Sequence, residues 1–356
     1  MNTKLSEELA RIARAVRAIV LDPALRPAIA PAQLLTAALA YPQAGGKALR
    51  PALLTWACRA LGGEEAPALR AGTAVELYHT YTLVHDDVID RDPMRRGQPS
   101  VHTRMAQVGA TEFALAPDEA AHYGLAMAIL AGDVQQAWAI DLLASLTDLG
   151  VSPAVVVQLI RRMQGVTGPA ILEGETIDIQ LPFRAVADVT PEMIELVMRT
   201  KTAALFAYCT WAGGLLARGQ EDDDVRALAT FAERIGLAFQ LQDDVLGLIG
   251  DEQKLGKPVG SDLREGKRTL IIALAWARAN AEERAQLTAI LGNAHATPDA
   301  TAQATALLLR LGAVEEVQTL AQRHLHDALH SLDSLPENEA VSLLREVAGV
   351  MVEREK

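Results

Sequence analysis

The chain has 356 residues, of which 50% are hydrophobic, and a formal net charge of -12 at pH 7. Such a length can bury a large core, while the negative charge argues against a nucleic-acid partner, because phosphate backbones bind basic surfaces. No uncharged run reaches the ~20 apolar residues that cross a bilayer, and the charged N-terminus is unlike a signal peptide. The two cysteines, Cys58 and Cys209, lie in apolar stretches and favour a reducing compartment. We therefore expect a soluble, cytoplasmic protein.

Helix-forming residues dominate the chain from end to end. Ala, Leu, Glu, Gln and Arg are abundant, and apolar residues recur at spacings of three and four, which is typical of amphipathic helices. No long stretch alternates apolar with polar residues, as half-buried strands do. Breaks rich in Pro and Gly separate the helices, and none is long and polar enough to be a linker. The sequence predicts an all-α fold in which residues 1–356 form a single domain.

The segment GGKALRP at 45–51 places two cations, Lys47 and Arg50, near the start of a helix. Its glycines let the backbone approach a ligand, and the free N–H groups of a helix start favour anions. Cations oppose the helix dipole at this end. An anionic ligand therefore explains them better than ordinary surface charge does.

A later helix carries three aspartates near its end, in the stretch DDVID at 86–90. Asp86, Asp87 and Asp90 stand at i, i+1 and i+4, so their carboxylates lie within about 100° of arc. Like charges this close repel one another unless cations lie between them, and an all-oxygen ligand set suits Mg²⁺. The sequence predicts a magnesium site here.

Arg95 and Arg96 follow in a loop bounded by Pro93 and by the turn at 97–99. The planar guanidinium suits bidentate phosphate recognition, and the Pro and Gly residues restrict where it points. Carboxylates followed by arginines indicate a phosphate bound through metal on one side and through guanidinium on the other. The alternative is a solvated helix face with ordinary ion pairs.

Two further helices carry polar groups in apolar surroundings. Lys201 lies in the apolar stretch RTKTAALF, where a lysine that faces a core is costly unless it pairs with an anion. The alternative is a lysine whose amine reaches the surface. The stretch FQLQDDVLG carries Asp243 and Asp244, with Gln240 one turn earlier. Two acidic pairs on two apolar helices indicate a second part of the metal site.

These motifs together resemble the trans-type (head-to-tail) isoprenyl diphosphate synthases, the family of farnesyl and geranylgeranyl diphosphate synthases. The family pattern DDxxD followed by RRGxPxxH is matched at Asp86, Asp87, Asp90, Arg95, Arg96, Gly97, Pro99 and His102. The resemblance spans about residues 40–350. It implies one large helical bundle of the isoprenoid synthase type with a central active-site cavity, and it implies a homodimer.

The resemblance also implies a role for each matched residue. Isopentenyl diphosphate would be bound by Lys47, Arg50, His79 and Arg96. The allylic diphosphate would be bound by Arg95, Lys201, Lys257 and Lys267, with oxygens of Thr202 and Gln240 near the developing carbocation. About three Mg²⁺ ions, which Mn²⁺ can replace, would be bound by Asp86, Asp87, Asp90, Asp243 and Asp244. The implied reaction is electrophilic prenyl transfer.

The second aspartate motif departs from the family pattern, because Gly247 occupies the position of the third aspartate. Asp251 lies further along the chain and cannot simply replace it. We expect Asp243 to hold the third metal and Asp244 to be linked to it through water or lysine. Beyond the motif, Lys257 and Lys267 lie in a glycine-rich stretch of the kind that closes over a bound diphosphate.

Product length depends on the residues that stop the growing tail on the helix before the first aspartates. Tyr81 and Thr82 precede Asp86 by about 6 to 8 Å along the helix axis. In the family, a C20 product goes with an aromatic residue five positions before the first aspartate and a small residue four positions before it. Two bulky aromatic residues at these positions go with a C15 product. We expect geranylgeranyl diphosphate, with farnesyl diphosphate second and a longer polyprenyl chain third.

Other classes of protein share some of these features. A terpene cyclase has the aspartate-rich helix and magnesium but no use for a second diphosphate site, and head-to-head synthases lack the GGKxxRP segment. A non-catalytic partner subunit of a heteromeric synthase is the alternative that Gly247 favours. The complete set of aspartates in the first motif argues against it.

Overall fold

The structure is a computed structural model that describes residues 3–250 and 259–352. Helices make up nearly all of the regular structure in these ranges, which confirms the predicted all-α fold. The chain forms two compact units. Unit 1 comprises Met1–Arg161 and Cys209–Asp222, and unit 2 comprises Arg162–Tyr208 and Asp223–Lys356. The single-domain organisation stays a prediction.

The helices follow one another along the chain. The first part of the chain contains α1 (Thr3–Leu21), α2 (Ala32–Ala44), α3 (Leu49–Ala60), α4 (Glu65–Ile89), α5 (Val101–Glu112), α6 (Pro117–Ala144) and α7 (Pro153–Arg162). The remainder contains α8 (Gly168–Gln180), α9 (Pro191–Val197), α10 (Ala204–Arg218), α11 (Asp223–Ile249), α12 (Ser261–Glu265), α13 (Leu270–Arg278), α14 (Ala281–Ile290), α15 (Pro298–Arg310), α16 (Ala313–Ser331) and α17 (Glu339–Val352). Short 3-10 turns occur at Ser145–Leu149, Leu181–Phe183 and Val186–Asp188, and π-helical turns occur at Met163–Thr167 and Met198–Ala203.

Unit 1 is built around α4 and α6, which pack against each other while α5 packs against α6. Small residues permit this close packing. A Cβ atom at Gly124 of α6 would lie 2.2 Å from the carbonyl oxygen of His102 on α5. Ala128 and Ala131 of α6 belong to the buried core together with Val84 of α4. This packing fixes the end of α4, where the first aspartates lie.

In unit 2, α11 packs along α16 and also contacts the π-helical turn at Met198–Ala203. Gly236 of α11 makes the second contact possible, because its Cβ would lie 2.7 Å from the Cα of Ala203. Local signals start several helices of this unit. The hydroxyl of Thr190 accepts a hydrogen bond from the Met193 N–H at the start of α9, and Asn280 forms a capping box at the start of α14.

Cys58 and Cys209 are buried in the core and form no disulfide with each other. Within the described ranges, the helices are all too short or too polar to traverse a lipid bilayer.

Candidate active site

The first aspartate motif lies at the C-terminal end of α4. The carboxylate of Asp86 is partly buried, and Asp90 is the exposed residue that ends the helix. Asp87 differs from both, because its carboxylate is 1% exposed and accepts hydrogen bonds from the Tyr41 hydroxyl and the Arg95 guanidinium. In this structure Asp87 therefore ties α2, α4 and the following hairpin together. Its predicted role as a metal ligand stays a prediction.

The loop after α4 is a small hairpin that orients two arginines. Strands β1 (Met94–Arg95) and β2 (Gln98–Pro99) pair antiparallel. Arg96 and Gly97 between them have φ values of 53° and 73°, as the tightest hairpin turns require. A non-glycine residue with positive φ is strained, and such strain is concentrated at functional sites. Arg96 uses this conformation to donate a hydrogen bond of 2.7 Å from Nη1 to the carbonyl oxygen of Gly45.

Arg96 thereby connects the hairpin to the GGKALRP segment. Gly46 leaves room for this arginine, since a Cβ atom there would lie 2.8 Å from Arg96 Nη1. Ala48 is the left-handed residue that precedes α3, with a φ of 48°. Lys47 is exposed, whereas Arg50 is partly buried within the first turn of α3. The predicted cations of the two motifs are therefore brought into one region of unit 1.

A cavity of about 800 Å³ lies in this region of unit 1. Its wall includes His79 and Arg96, two of the four residues predicted to bind isopentenyl diphosphate, whereas Lys47 and Arg50 are not part of it. Gly45, Gly46, Glu76 and Arg95 also line the cavity. Burial, then the charges of Arg50, Arg96 and Arg95, hold the pKa of His79 well below its usual value. His79 is therefore neutral at pH 7 and can donate one ring N–H to a phosphate oxygen.

Glu76 is a cavity residue that sequence reasoning did not select. It lies one turn before His79 on α4, and burial raises the pKa of its carboxyl group, while the charges of Arg50 and Arg96 lower it. A carboxylate in this place offsets part of the positive charge of the cavity. Its three-residue spacing from His79 was visible in the sequence, but the neighbouring guanidinium groups come from other elements.

The predicted chain-length residues lie further back on α4. Tyr81 is buried, and its ring packs edge-on against Tyr78 and His85, with centroid distances of 4.8 and 5.5 Å. The hydroxyl of Thr82 donates to the carbonyl oxygen of His79 at 2.7 Å. Gly132 of α6 makes room for His85, because a Cβ there would lie 2.2 Å from Nε2 of His85.

In unit 2, Lys201 occupies the π-helical turn Met198–Ala203. Its amine forms ion pairs of 2.6 Å with both Glu175 and Asp178 of α8. Gly174 permits this approach, since a Cβ there would lie 2.5 Å from the backbone nitrogen of Lys201. The two carboxylates satisfy the lysine in a partly buried position and fix the direction of its amine. Such π-helical turns are frequent at functional sites.

A chain of hydrogen bonds joins the other predicted residues of unit 2. The Thr202 hydroxyl donates to Gln240 Oε1, and Gln240 Nε2 donates to Asp244 Oδ1, each at 3.0 Å. Burial, together with the charges of Asp262 and Asp243, raises the pKa of Asp244 to about 7. The adjacent carboxylates therefore form an electrostatically strained group, which a divalent cation would relieve.

Gly247, where the family pattern has a third aspartate, faces another carboxylate. A Cβ atom at Gly247 would lie 2.7 Å from Oδ2 of Asp262, which lies in α12. Asp262 therefore occupies the space that a side chain at Gly247 would fill. The amine nitrogen of Lys267 lies 3.5 Å from Oδ1 of Asp262, and the lysine side chain is half exposed. The predicted residue Lys257 and Asp251 lie outside the described residues.

The carboxylates of the predicted metal site suit Mg²⁺, which binds partly through water and substrate phosphates, better than a metal ion that is bound by protein side chains alone. Among the described residues, no three carboxylate, His or Cys side chains converge on one point where they would hold a metal ion. Mg²⁺ ordinarily binds through one or two carboxylates, several waters and the phosphates of its substrate. Asp86 and Asp90 in unit 1, and Asp243 and Asp244 in unit 2, are donor sets of that kind.

Comparison with known proteins agrees with these features. A family model described as polyprenyl synthetase matches residues 32–308. The chain belongs to the polyprenyl synthetase family. A short chain isoprenyl diphosphate synthase from Methanothermobacter thermautotrophicus is 36% identical over 330 residues, which cover 92% of each chain. The predicted family is thus confirmed.

Solved structures of the family share the helical fold. Geranylgeranyl pyrophosphate synthetase from Pyrococcus horikoshii is 32% identical, with a TM-score of 0.86 over 99% of this chain and 100% of that one. Geranylgeranyl pyrophosphate synthase from Corynebacterium glutamicum, complexed with isoprenyl diphosphate and magnesium, is 29% identical, with a TM-score of 0.80 over 99% and 98%. The predicted helical bundle fold is confirmed.

Proposed function

We propose that this polyprenyl synthetase is a magnesium-dependent prenyltransferase that condenses isopentenyl diphosphate with an allylic diphosphate, and that its main product is geranylgeranyl diphosphate. The observation that carries the proposal is the arginine-lined cavity of unit 1, which brings Gly45, Gly46 and Arg96 together with His79 of α4, the helix of the first aspartate motif. Family membership and the names of its solved relatives support it.

Two sets of carboxylates would hold the metal. Asp86 and Asp90 in unit 1, and Asp243 and Asp244 in unit 2, offer oxygen ligands to about three Mg²⁺ ions, for which Mn²⁺ can substitute. When bound, the metal would stabilise the negative charge that builds on the diphosphate as its bond to carbon breaks. Asp87 contributes indirectly, because it fixes Arg95 beside Asp86.

The side chains around the substrates bind and orient them. In unit 2, Lys201 is directed by Glu175 and Asp178 and would bind the allylic diphosphate together with Lys267, and Lys257 is proposed for the same role. The Thr202 and Gln240 oxygens would face the allylic cation that forms. Such preorganised dipoles stabilise charge without reorganising during the reaction.

Isopentenyl diphosphate would bind in unit 1 through Lys47, Arg50, His79 and Arg96. Once the C–O bond to diphosphate has broken, the double bond of isopentenyl diphosphate attacks C1 of the allylic cation, and one C–C bond forms. The adduct then loses a proton from the former isopentenyl unit, and the departing diphosphate accepts it. No nucleophilic side chain of the protein is required, because the substrate supplies the electron pair.

The length of the product would be limited by Tyr81. Its ring is held between Tyr78 and His85, while Thr82 is small and bonded to its own helix. A single fixed aromatic ring supports a C20 limit. We also propose that the enzyme is a homodimer and works in the cytoplasm.

An elongation assay tests the proposal. Purified protein is incubated with labelled isopentenyl diphosphate and with dimethylallyl, geranyl or farnesyl diphosphate, in the presence of Mg²⁺ or of a chelator. We expect elongation in the presence of Mg²⁺ and none in the presence of the chelator. The elongation rate should fall by at least about 100-fold in Asp86→Ala. Asp118→Ala, which removes an exposed carboxylate from the start of α6, is the matched control and should retain activity. Elongation that survives Asp86→Ala would contradict the metal assignment.

A further inference from the structure

The cavity of unit 1 has one wall that none of the sequence motifs supplies. Helix α1 contributes Ala13, Arg14, Val16, Arg17 and Val20 to it. Ala13, Val16, Arg17 and Val20 follow the i, i+3, i+4, i+7 spacing, so one face of α1 borders the cavity. The first helix of the chain is therefore part of the wall of the predicted isopentenyl diphosphate site.

Helix α1 is held in place by contacts that do not involve its two cavity arginines. Its apolar stripe, which includes Leu5 and Ile12, is buried. On its flank, Arg11 Nη1 lies 2.5 Å from Glu65 Oε1, and Arg59 Nη1 lies 3.0 Å from Glu8 Oε2. These ion pairs connect α1 to α3 and to the start of α4.

Arg14 and Arg17 are exposed, and neither forms an ion pair or a side-chain hydrogen bond with the part of the chain that the structure describes. They are neighbours at i and i+3 on α1. Their guanidinium groups are thus available to a ligand of the cavity without the loss of an existing contact.

The charge of the cavity wall identifies the class of ligand. The wall carries five arginines, namely Arg14, Arg17, Arg95, Arg96 and Arg104, and one carboxylate residue, Glu76. Asp87 compensates only one of the five, Arg95. In a chain with a net charge of -12, this is a marked local excess of positive charge, and it attracts polyanions.

The cavity is large enough to admit a diphosphate. A sphere of about 800 Å³ is roughly 12 Å across, so flexible guanidinium groups on facing walls can reach the same ligand. A diphosphate offers several oxygens to bidentate guanidinium donors.

We propose that Arg14 and Arg17 of α1 bind the diphosphate group of isopentenyl diphosphate in this cavity. This inference rests on the proposed function, since it takes the cavity as the isopentenyl diphosphate site. It extends that site by two residues of a helix that lies before the matched family region, which begins at residue 32. Helix α1 is then a part of substrate binding as well as of the core.

Calorimetric titration with isopentenyl diphosphate, without Mg²⁺ and without an allylic substrate, tests the inference directly. Without Mg²⁺ the carboxylates of the metal site repel a diphosphate, and the part of the affinity that depends on Arg14 and Arg17 reports the cavity of unit 1. We expect the Kd to rise about three- to tenfold in Arg14→Gln and in Arg17→Gln, and further in the double variant. Lys4→Gln removes the same charge from α1 outside the cavity wall, and its Kd should stay within about twofold of wild type.

Two further measurements separate the possible failures. The variants should lose affinity for inorganic diphosphate to the same extent, because the arginines recognise the headgroup. A loss of affinity confined to isopentenyl diphosphate would overturn the inference, as would variants that bind like wild type. If the wild type fails to elongate any allylic primer but its diphosphate binding still depends on Arg14 and Arg17, the proposed function falls and the inference stands. Arg14→Lys/Arg17→Lys, which keeps the charge, should recover part of the affinity if the double Gln variant does not fold.

Discussion

Asp244 should lower the stability of the metal-free protein at neutral pH. Burial and the charges of Asp262 and Asp243 raise the pKa of Asp244 from 3.8 to about 7. An acid whose pKa is higher in the folded state stabilises that state fully below its unfolded pKa, and the stabilisation is lost as the pH rises through the folded pKa. This loss therefore occurs between about pH 4 and pH 7. The pKa difference corresponds to at most about 4 kcal/mol, and partial exposure of the carboxylate reduces it to about 1 to 3 kcal/mol.

The substitution Asp244→Asn removes the charge and keeps an oxygen that can accept the 3.0 Å hydrogen bond from Gln240. In urea unfolding with a chelator present, we expect the variant to be about 1 to 3 kcal/mol more stable than wild type at pH 8. At pH 4 the two proteins should differ little. Asp188→Asn, at an exposed carboxylate of the same unit, is the matched control and should leave the pH dependence unchanged. An Asn variant that loses as much stability as wild type between pH 4 and pH 8 would show that the carboxyl group of Asp244 is not the group responsible.

Three other substitutions test the packing around the site. Gly247→Asp should reduce the free energy of unfolding in urea by about 1 to 3 kcal/mol, because its Cβ would lie 2.7 Å from Asp262 Oδ2. Adding Asp262→Gly to the same chain should restore most of the lost stability. An unchanged unfolding midpoint in Gly247→Asp would contradict the clash. Tyr81→Ala should lengthen the product beyond C20 when alcohols from the reaction are sized by chromatography, and an unchanged size would exclude the ring as the limit. Gly132→Ala should shift the product distribution in the same assay, because its methyl group would displace His85 from Tyr81; an unchanged distribution would show that His85 does not position the ring.

The local part of the site was predictable from the sequence. The positions of Asp86 and Asp90 at the end of a helix follow from apolar periodicity and from the Pro and Gly residues beyond it. The glycines before Lys47 mark the close approach that Arg96 makes to Gly46. These predictions needed only residues that are close in sequence, namely charged side chains within apolar or glycine-rich stretches.

Contacts between distant residues were not predictable in the same way. The hydroxyl of Tyr41 binds Asp87 across 46 positions, and no pattern on either helix indicates the pairing. Asp262 fills the space beside Gly247 because the chain returns to α11 after residue 258, which only tertiary structure reveals. The arginines of α1 look like ordinary surface charge until the cavity beside them is seen.

The proposed function requires that this chain elongates an allylic diphosphate and stops at twenty carbons. The most direct measurement supplies wild-type enzyme and Mg²⁺ with labelled isopentenyl diphosphate and dimethylallyl diphosphate, and then sizes the dephosphorylated products by chromatography with mass detection. We expect geranylgeraniol as the dominant alcohol. A dominant C15 alcohol would contradict the limit set by Tyr81. If no primer, including farnesyl diphosphate, incorporates label, the prenyltransferase assignment itself would be contradicted, and the non-catalytic alternative that Gly247 favours would replace it.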